Sequence, residues 1–384
     1  MPTTKLKNLA YRAMLPFCAP SCGKSPVSSV SGHPVGSLSA FTRLIRRHHV
    51  LGSATLLSDG KSQALILTDS EKPAHHPAPD TYFRVASITK IATAALIMRL
   101  ADRGLLSPDE PVSAYLPLDP VPAELSGVTL RHLLSHTSGL MDPPTLEKDL
   151  EQRKTLPVVV AGMRVSQPGS SFRYSNLGYG ILGCVLEAAT DQPLDRVFAE
   201  ELFAPLGMDA TLSGCTLPPE RIMPVTRILP YHEGRDLILT PLGRIPLDAP
   251  DPLRHFGHTA GSMYTTVQSL HRLLSMLISS GGDVLSPAAV SEMKKQHASY
   301  GPLSPTLSYG LGLLRINDPA ISPSLVLGHQ GFAYGCGDGA FWEENSGRLI
   351  IFLNGGCSEA RTGRLGTSNR DFASWAFRKE LPSW

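Results

Sequence analysis

The segment Ile91-Ala-Thr-Ala-Ala-Leu-Ile-Met-Arg-Leu100 is apolar almost all round. A helix without a polar face has to be buried, so this one sets the centre of whatever fold forms around it. Gly104 is suited to ending it, and an extended-looking Thr81-Tyr-Phe-Arg-Val85 precedes it. At its head stands Ser87-Ile-Thr-Lys90. Positions i and i+3 share one helix face, which holds the Lys90 amine near the Ser87 hydroxyl. Desolvation lowers the pKa of a lysine and lets it take the serine proton. The free N–H groups of a first helical turn and the helix dipole face the same point. Together these features can make an acylating serine.

Ser-x-x-Lys is a loose pattern, and context decides what each copy does. Ser58-Asp-Gly-Lys61 lies between the apolar runs Ala54-Thr-Leu-Leu57 and Ala64-Leu-Ile-Leu67. That reads as a hairpin turn with a solvated lysine. Ser291-Glu-Met-Lys294 sits in a polar stretch with a charged face, as expected of a surface helix. Neither is attached to a core helix as Ser87 is.

A chain of 384 residues with 42% apolar content builds a substantial core in one large domain or two modest ones. Its net charge of +2 without long basic runs leaves no footprint for nucleic acid, and Arg46-Arg47-His48-His49 reads as one solvated helix end. Six scattered cysteines are too few for a disulfide scaffold and are expected as free thiols. Cys18 and Cys22 have no second pair at zinc-ribbon spacing. The apolar patch Ala13-Met-Leu-Pro-Phe-Cys-Ala19 is short and broken by proline, so no signal peptide is read there and a cytoplasmic location is expected. No run approaches the roughly 18 apolar residues of a membrane span.

Residues 1–36 are rich in Ser, Pro and Gly and are expected to form a poorly ordered leader. A first helix is expected over Leu38 to Val50, then strands near 50–57 and 62–68, then the Ser87 helix. From about 105 to 254 short helical segments alternate with proline-rich loops such as Asp142-Pro-Pro144, and long loops of this kind often belong to binding sites. Strands return near 325–327, 340–342 and 349–353, the last two joined around Asn345-Ser-Gly347, before a final helix near 370–381. The expected architecture is α+β. One antiparallel sheet comes from both chain ends (37–104 and about 255–384), and a mostly helical subdomain spans about 105–254. The nucleophile falls at their junction, where clefts form.

Two further stretches have the chemistry for that junction, although each taken alone is more often structural. In an extended Tyr174-Ser175-Asn176 the outer residues point to one side. A phenol or phenolate at Tyr174 shares proton transfer with Lys90, and the Asn176 amide orients a substrate carbonyl or amide. His329-Gln330-Gly331 closes the run Ser324-Leu-Val-Leu-Gly328. His329 presents a polar ring to the cleft, Gly331 lets substrate approach the backbone, and the N–H groups of Phe332 and Ser87 are placed to bind an oxyanion.

Taken together, these stretches resemble the serine β-lactamase and penicillin-binding protein superfamily, in the branch of class C β-lactamases, family VIII carboxylesterases and D-amino-acid peptidases. Phe83-Arg-Val-Ala-Ser-Ile-Thr-Lys90 resembles its first motif, Tyr174-Ser-Asn176 its second and His329-Gln-Gly331 its third, in the family's order. Supporting stretches are Val128-Thr-Leu-Arg-His-Leu-Leu-Ser-His-Thr-Ser-Gly-Leu140, Ala260-Gly-Ser-Met-Tyr-Thr-Thr266 and Tyr309-Gly-Leu-Gly-Leu313, and the similarity covers about residues 37–384. Within it, His132 and His136 at i, i+4 read as structural rather than as metal ligands, since the Glu of His-Glu-x-x-His is missing. Gly-x-Ser-x-Gly is also absent, against an α/β-hydrolase elbow.

The resemblance implies acyl transfer through a serine ester. Ser87 attacks, Lys90 and Tyr174 move the proton, the Ser87 and Phe332 N–H groups hold the oxyanion, and Asn176, His329, Gln330 and Gly331 bind substrate. The chemistry requires no metal or organic cofactor, and the partner is a small ester, amide or short peptide. Classical members carry Lys-Thr-Gly at the third motif, whereas a histidine is largely neutral near pH 7. An esterase or amidase with weak β-lactam hydrolysis at most therefore fits better. An acyltransferase using the same site, and a non-catalytic scaffold retaining the fold, stay open.

Overall fold

The computed structural model describes residues 5–19, 26–32, 38–71, 76–234, 245, 247–302 and 304–378. Its main sheet has nine strands: β1 (Val27–Gly32), β2 (Ser53–Ser58), β3 (Gln63–Thr68), β4 (Ala298–Ser299), β5 (Leu307–Tyr309), β6 (Leu314–Ile316), β7 (Val326–Ala333), β8 (Cys336–Glu343) and β9 (Leu349–Asn354). They run in the order β1-β3-β2-β9-β8-β7-β6-β5-β4 with every neighbouring pair antiparallel. Strands from the two ends of the chain thus meet in one sheet, joined by the β2–β9 pair.

Side-chain alternation on the central strands serves two layers. Leu349, Ile351 and Leu353 join Ala54 and Leu56 in a core shared with the buried helix, while Ile350 and Phe352 join Leu57 on the opposite face. Helix α1 is Lys5–Cys18, α2 is Ser39–Arg47, α3 is Thr89–Asp102, α4 is Asn176–Thr190 and α5 is Thr367–Phe377. α2 and α5 cover that second face with Phe41, Ile45, Phe372 and Trp375, and the Phe352 and Phe372 rings stack at 4.0 Å. Each such fully buried side chain contributes about 1.5–3 kcal/mol. α3 lies in the other core, buried along nearly its whole length, and the chain leaves it through Gly104 at a φ of 73°. The short helix Leu130–Leu134 and α4 pack beyond it.

The Ser58–Lys61 stretch forms the expected turn: Asp59 Oδ1 accepts the N–H groups of Lys61 and Ser62, and Lys61 is exposed. Ser291 lies exposed on the helix Pro287–Lys294.

Three expectations need correction. The segment 1–36, read as an unordered leader, carries α1 and β1. Tyr11 and Leu15, one helical turn apart, anchor α1 on Leu51 and Ile228, and β1 extends the sheet by pairing with β3. Residues 1–4, 20–25 and 33–37 lie outside the described residues. The late strands are longer than 325–327 and 340–342, because glycine-rich His329-Gln-Gly-Phe332 and Cys336-Gly-Asp-Gly339 lack a β signature yet pair through an unbroken register. β5 and β6 went unread because three residues each are too few to show an alternating pattern. Finally, α4 begins at Asn176, so Tyr174 and Asn176 converge through a helix start and not along one extended face.

Candidate active site

Val85 leads into a single tight turn, Ala86–Ile88, from which α3 starts. Ala86 has a φ of 46°, a left-handed conformation that a residue with a Cβ adopts at a cost of about 1–3 kcal/mol. Thr89 holds the turn, donating through Oγ1 to the Ala86 carbonyl at 2.6 Å and accepting the Met263 N–H at 3.1 Å. β7 closes from the other side, where a Cβ on Gly331 would lie 2.4 Å from the Val85 carbonyl oxygen. Gly331 is therefore glycine because the nucleophile turn packs against it; the backbone it admits is the protein's own. The result leaves Ser87 half-buried and Lys90 fully buried.

Lys90 Nζ makes three hydrogen bonds: to Ser87 Oγ (3.2 Å), Asn176 Oδ1 (2.9 Å) and the Ala260 carbonyl (2.6 Å). Burial lowers its pKa from 10.5 to about 7, opposed by the Asp142 carboxylate and assisted by the Arg84 charge. Two of the three partners are carbonyl oxygens and accept only. When the ammonium loses a proton, its two remaining N–H groups stay on those oxygens and the lone pair is left to the Ser87 hydroxyl.

Asp142, read in the sequence only as part of a loop, fixes this arrangement. Its Oδ1 accepts from Ser175 Oγ (2.8 Å) and the Leu177 N–H (2.9 Å), and its Oδ2 accepts from Asn176 Nδ2 (2.9 Å). Ser175 in turn caps α4 by accepting the Gly178 N–H at 2.9 Å. Asn176 is thereby committed to orienting Lys90, with one amide N–H left for the cleft.

Tyr174 has the Ser87 hydroxyl as its hydrogen-bond partner, and Lys90 Nζ lies 4.9 Å from its ring centre. Burial raises its pKa well above the usual phenol value, so the group is a phenol and not a phenolate. His136 backs the ring at 4.2 Å and is itself enclosed by Tyr179 and Tyr309. Its Nδ1 accepts the Ser175 N–H at 3.2 Å, while His132 Nδ1 accepts the Thr129 N–H at 3.2 Å at a helix start. Both histidines are structural.

His329 lines the cleft, but both of its nitrogens are engaged. Nδ1 lies 2.7 Å from the Gln330 carbonyl, which only accepts, so Nδ1 carries the proton and Nε2 accepts from Tyr309 Oη at 2.9 Å. Burial, with the Lys90 charge, pushes its pKa down to about 3. It offers a neutral ring to a substrate. Gln330, expected to bind substrate, spends its amide on the hairpin Arg361–Gly366: Nε2 donates to the Arg364 carbonyl and Oε1 accepts the Gly366 N–H, both at 2.9 Å. From His329 onward β7 pairs within the sheet only with β8, leaving its other edge to the Ser87 turn.

The cleft has two lobes that share Ser87, Asn176 and Phe332. The larger, about 520 Å³, includes Tyr174, Phe172, Tyr300, Arg173, Arg361 and Arg364. The smaller, about 280 Å³, includes Arg84, Leu146, Glu147, Leu150 and Tyr334. Sequence reading missed Asp142 and all the cleft arginines. Arg84 lies inside the first motif, but nothing in the spacing shows where its side chain goes; Arg361 and Arg364 belong to a hairpin with no motif. The positive charge that His329 does not supply is thus present from another element.

Three comparisons bear on this site. The family model described as Beta-lactamase matches residues 39–354. Penicillin-binding protein 4 of Amycolatopsis lactamdurans is 32% identical, covering 67% of this chain and 68% of that protein. Esterase EstB of Burkholderia gladioli is 28% identical over 86% of this chain and 92% of its own. Among solved structures, the D-amino acid amidase from Ochrobactrum anthropi SV3 complexed with L-phenylalanine amide superposes with a TM-score of 0.66 at 25% identity, covering 85% of this chain and 92% of that one. With the first, second and third motifs gathered around one serine and a match across most of its length, this protein belongs to the Beta-lactamase family, as an enzyme of that family's serine-hydrolase type.

Proposed function

We propose that the protein hydrolyses esters or amides through an acyl-enzyme on Ser87. The observation that carries this reading is the Lys90 contact set, in which Ser87 is the one partner able to donate a proton back. As Ser87 Oγ bonds to the substrate carbonyl carbon, its proton passes to the Lys90 amine and the carbonyl oxygen becomes an oxyanion. The Ser87 and Phe332 N–H groups receive that charge, a contribution worth about 3–4 kcal/mol per donor in comparable sites. When the carbon–leaving-group bond breaks, the proton returns through the Tyr174 phenol to the leaving oxygen or nitrogen. Water then attacks the ester by the reverse path, with Lys90 again taking the proton.

Tyr174 lines the larger lobe and not the smaller, so the leaving group, which must meet that phenol, occupies the larger lobe. The acyl portion occupies the smaller. Carboxylesterase or peptidase-like turnover follows, with weak β-lactam hydrolysis at most, because the third motif offers a neutral histidine in place of a lysine. The test is incubation with p-nitrophenyl acetate, nitrocefin and a fluorophosphonate, following turnover and intact mass beside Ser87→Ala. Ester turnover and a covalent adduct are expected in the wild type and neither in the variant. An adduct that persists in Ser87→Ala would overturn the assignment.

A further inference from the structure

The smaller lobe contains a cation that the hydrolytic steps leave unused. Arg84 is only 8% exposed, yet it lines that lobe three residues before the nucleophile. Its Nε and Nη1 are sealed from solvent with no hydrogen-bond partner among the described residues, and no described carboxylate lies within ion-pair distance. A guanidinium cannot shed its proton to escape burial. An uncompensated buried charge is among the costliest features a fold can keep, so its counter-charge is the question the lobe poses.

The protein's own groups do not answer it. The Tyr334 ring centre lies 5.0 Å from the guanidinium carbon, giving partial compensation through its π face. Asp338 is fully buried nearby, with Oδ1 accepting the N–H and the side-chain amide of Asn354. Burial raises its pKa, opposed by the Asn354 hydrogen bonds and the Arg84 charge, and its Oδ2 makes no hydrogen bond to Arg84 or to any other described residue. Arg227, on the same lobe, is already paired with Glu359 at 3.2 Å. Glu147 also lines the lobe, but it is solvent-exposed and accepts the Tyr334 hydroxyl at 2.6 Å. Solvent screens that exposed charge, whereas Arg84 meets solvent only through the small part of it that lines the lobe.

We propose that the smaller lobe is an anion subsite in which Arg84 receives a carboxylate carried by the acyl portion of the substrate, so that the preferred acyl donors are half-esters or half-amides of dicarboxylic acids. Leu146 and Leu150 line the same lobe and give it the apolar surface that methylenes require. The substrate carboxylate completes the charge balance of the lobe only when the acyl chain is seated, which ties acyl recognition to the nucleophile through Val85 and Ala86, the two residues separating Arg84 from Ser87. This inference rests on Ser87 being the nucleophile and on the acyl portion occupying the smaller lobe.

The test compares mono-p-nitrophenyl adipate, p-nitrophenyl hexanoate and p-nitrophenyl 6-aminohexanoate, which share a leaving group and differ in the charge at the end of a six-carbon acyl chain. The adipate half-ester is expected to exceed hexanoate in kcat/KM by about tenfold or more, as for one charge-assisted hydrogen-bonded contact. That ratio is expected to collapse toward about 1 in Arg84→Met and to be partly retained in Arg84→Lys, which keeps the charge. A ratio near unity in the wild type, a preference for the ammonium ester, or a ratio unchanged in a folded Arg84→Met would overturn the proposal. Should Arg84→Met not fold, competitive inhibition of hexanoate turnover by free adipate but not by hexanediol decides the matter on the wild type, and absence of that difference refutes it. Fluorophosphonate labelling of Ser87 is read in parallel, so failure of the nucleophile assignment is distinguishable from failure of the subsite.

Discussion

Asp142→Asn separates the electrostatic account of Lys90 from a purely geometric one. The Asp142 carboxylate reaches Lys90 through the Asn176 side-chain amide, with 2.9 Å on either side of it. Allowing for the width of the amide, the two charges are no more than about 8 Å apart, which at an effective dielectric of about 20 is an attraction of about 2 kcal/mol. That corresponds to about 1.5 pK units, and because solvent in the cleft screens part of it, losing the charge is expected to lower the Lys90 pKa by about 1 unit. The sign is definite: a neighbouring anion stabilises the ammonium, and its removal releases the proton at lower pH. Hydrogen bonding acts in the same direction. An asparagine that keeps its oxygen toward Ser175 and Leu177 turns its NH2 toward Asn176, driving that amide to flip and present N–H groups to Lys90. Because only the neutral amine is a base, kcat/KM for p-nitrophenyl acetate rises with pH through the free-enzyme pKa of about 7. In the variant this acidic limb is expected near pH 6 by our argument, about 1 unit lower, with a reduced plateau because Asn176 no longer holds the amine. Loss of a charge-assisted hydrogen bond costs about 1.5–3 kcal/mol of stability, readable separately in the melting temperature. A limb that stays in place or moves upward would refute this account of the lysine.

Two further outcomes follow from the packing around the nucleophile. Gly331→Ala places a Cβ against the Val85 carbonyl, and the forced separation is expected to cost about 1–3 kcal/mol in stability; kcat/KM falls by about a hundredfold as the Ser87 turn shifts by a fraction of an ångström. Melting and ester turnover check both, and wild-type kinetics in that variant would show that β7 does not set the turn. Tyr309→Phe removes the hydroxyl that donates to His329 Nε2, costing about 1–3 kcal/mol through an unpaired buried acceptor, while the acidic limb near pH 7 is expected to stay where Lys90 sets it. A limb that moves in Tyr309→Phe would identify His329 as the titrating group instead.

Legibility in the sequence followed how locally each feature is determined. Ser87 and Lys90 are one turn apart, so helical periodicity alone brought them together. The alternating strands at 53–58 and 349–354 announced themselves because both of their faces are buried in hydrophobic layers. β7 and β8 were legible only at 325–327 and 340–342, since their glycines answer to close neighbours, backbone at Gly328 and Gly331 and the Cys357 and Asn369 side chains at Gly337 and Gly339, and such contacts leave no periodic trace. Asp142 gains its role by collecting donors from Ser175, Asn176 and Leu177, a relation that exists only once α4 is in place. Gln330 shows what adjacency to a motif residue leaves out: it lines the larger lobe, as expected of a substrate-facing residue, but its amide is spent on the neighbouring hairpin.

That hairpin is also gripped from outside. Asn8 in α1 donates through Nδ2 to the Arg361 carbonyl at 2.6 Å and accepts the Arg361 N–H at 3.1 Å, while Tyr11 Oη accepts the Glu359 N–H at 3.0 Å. One wall of the larger lobe is therefore clamped between two side-chain amides, Asn8 on its far side and Gln330 on its near side. A change in α1 reaches the leaving-group lobe without touching Ser87, Lys90 or Tyr174. Under the proposed function, substitutions at Asn8 are expected to change KM for ester leaving groups while fluorophosphonate labelling of Ser87 stays unchanged.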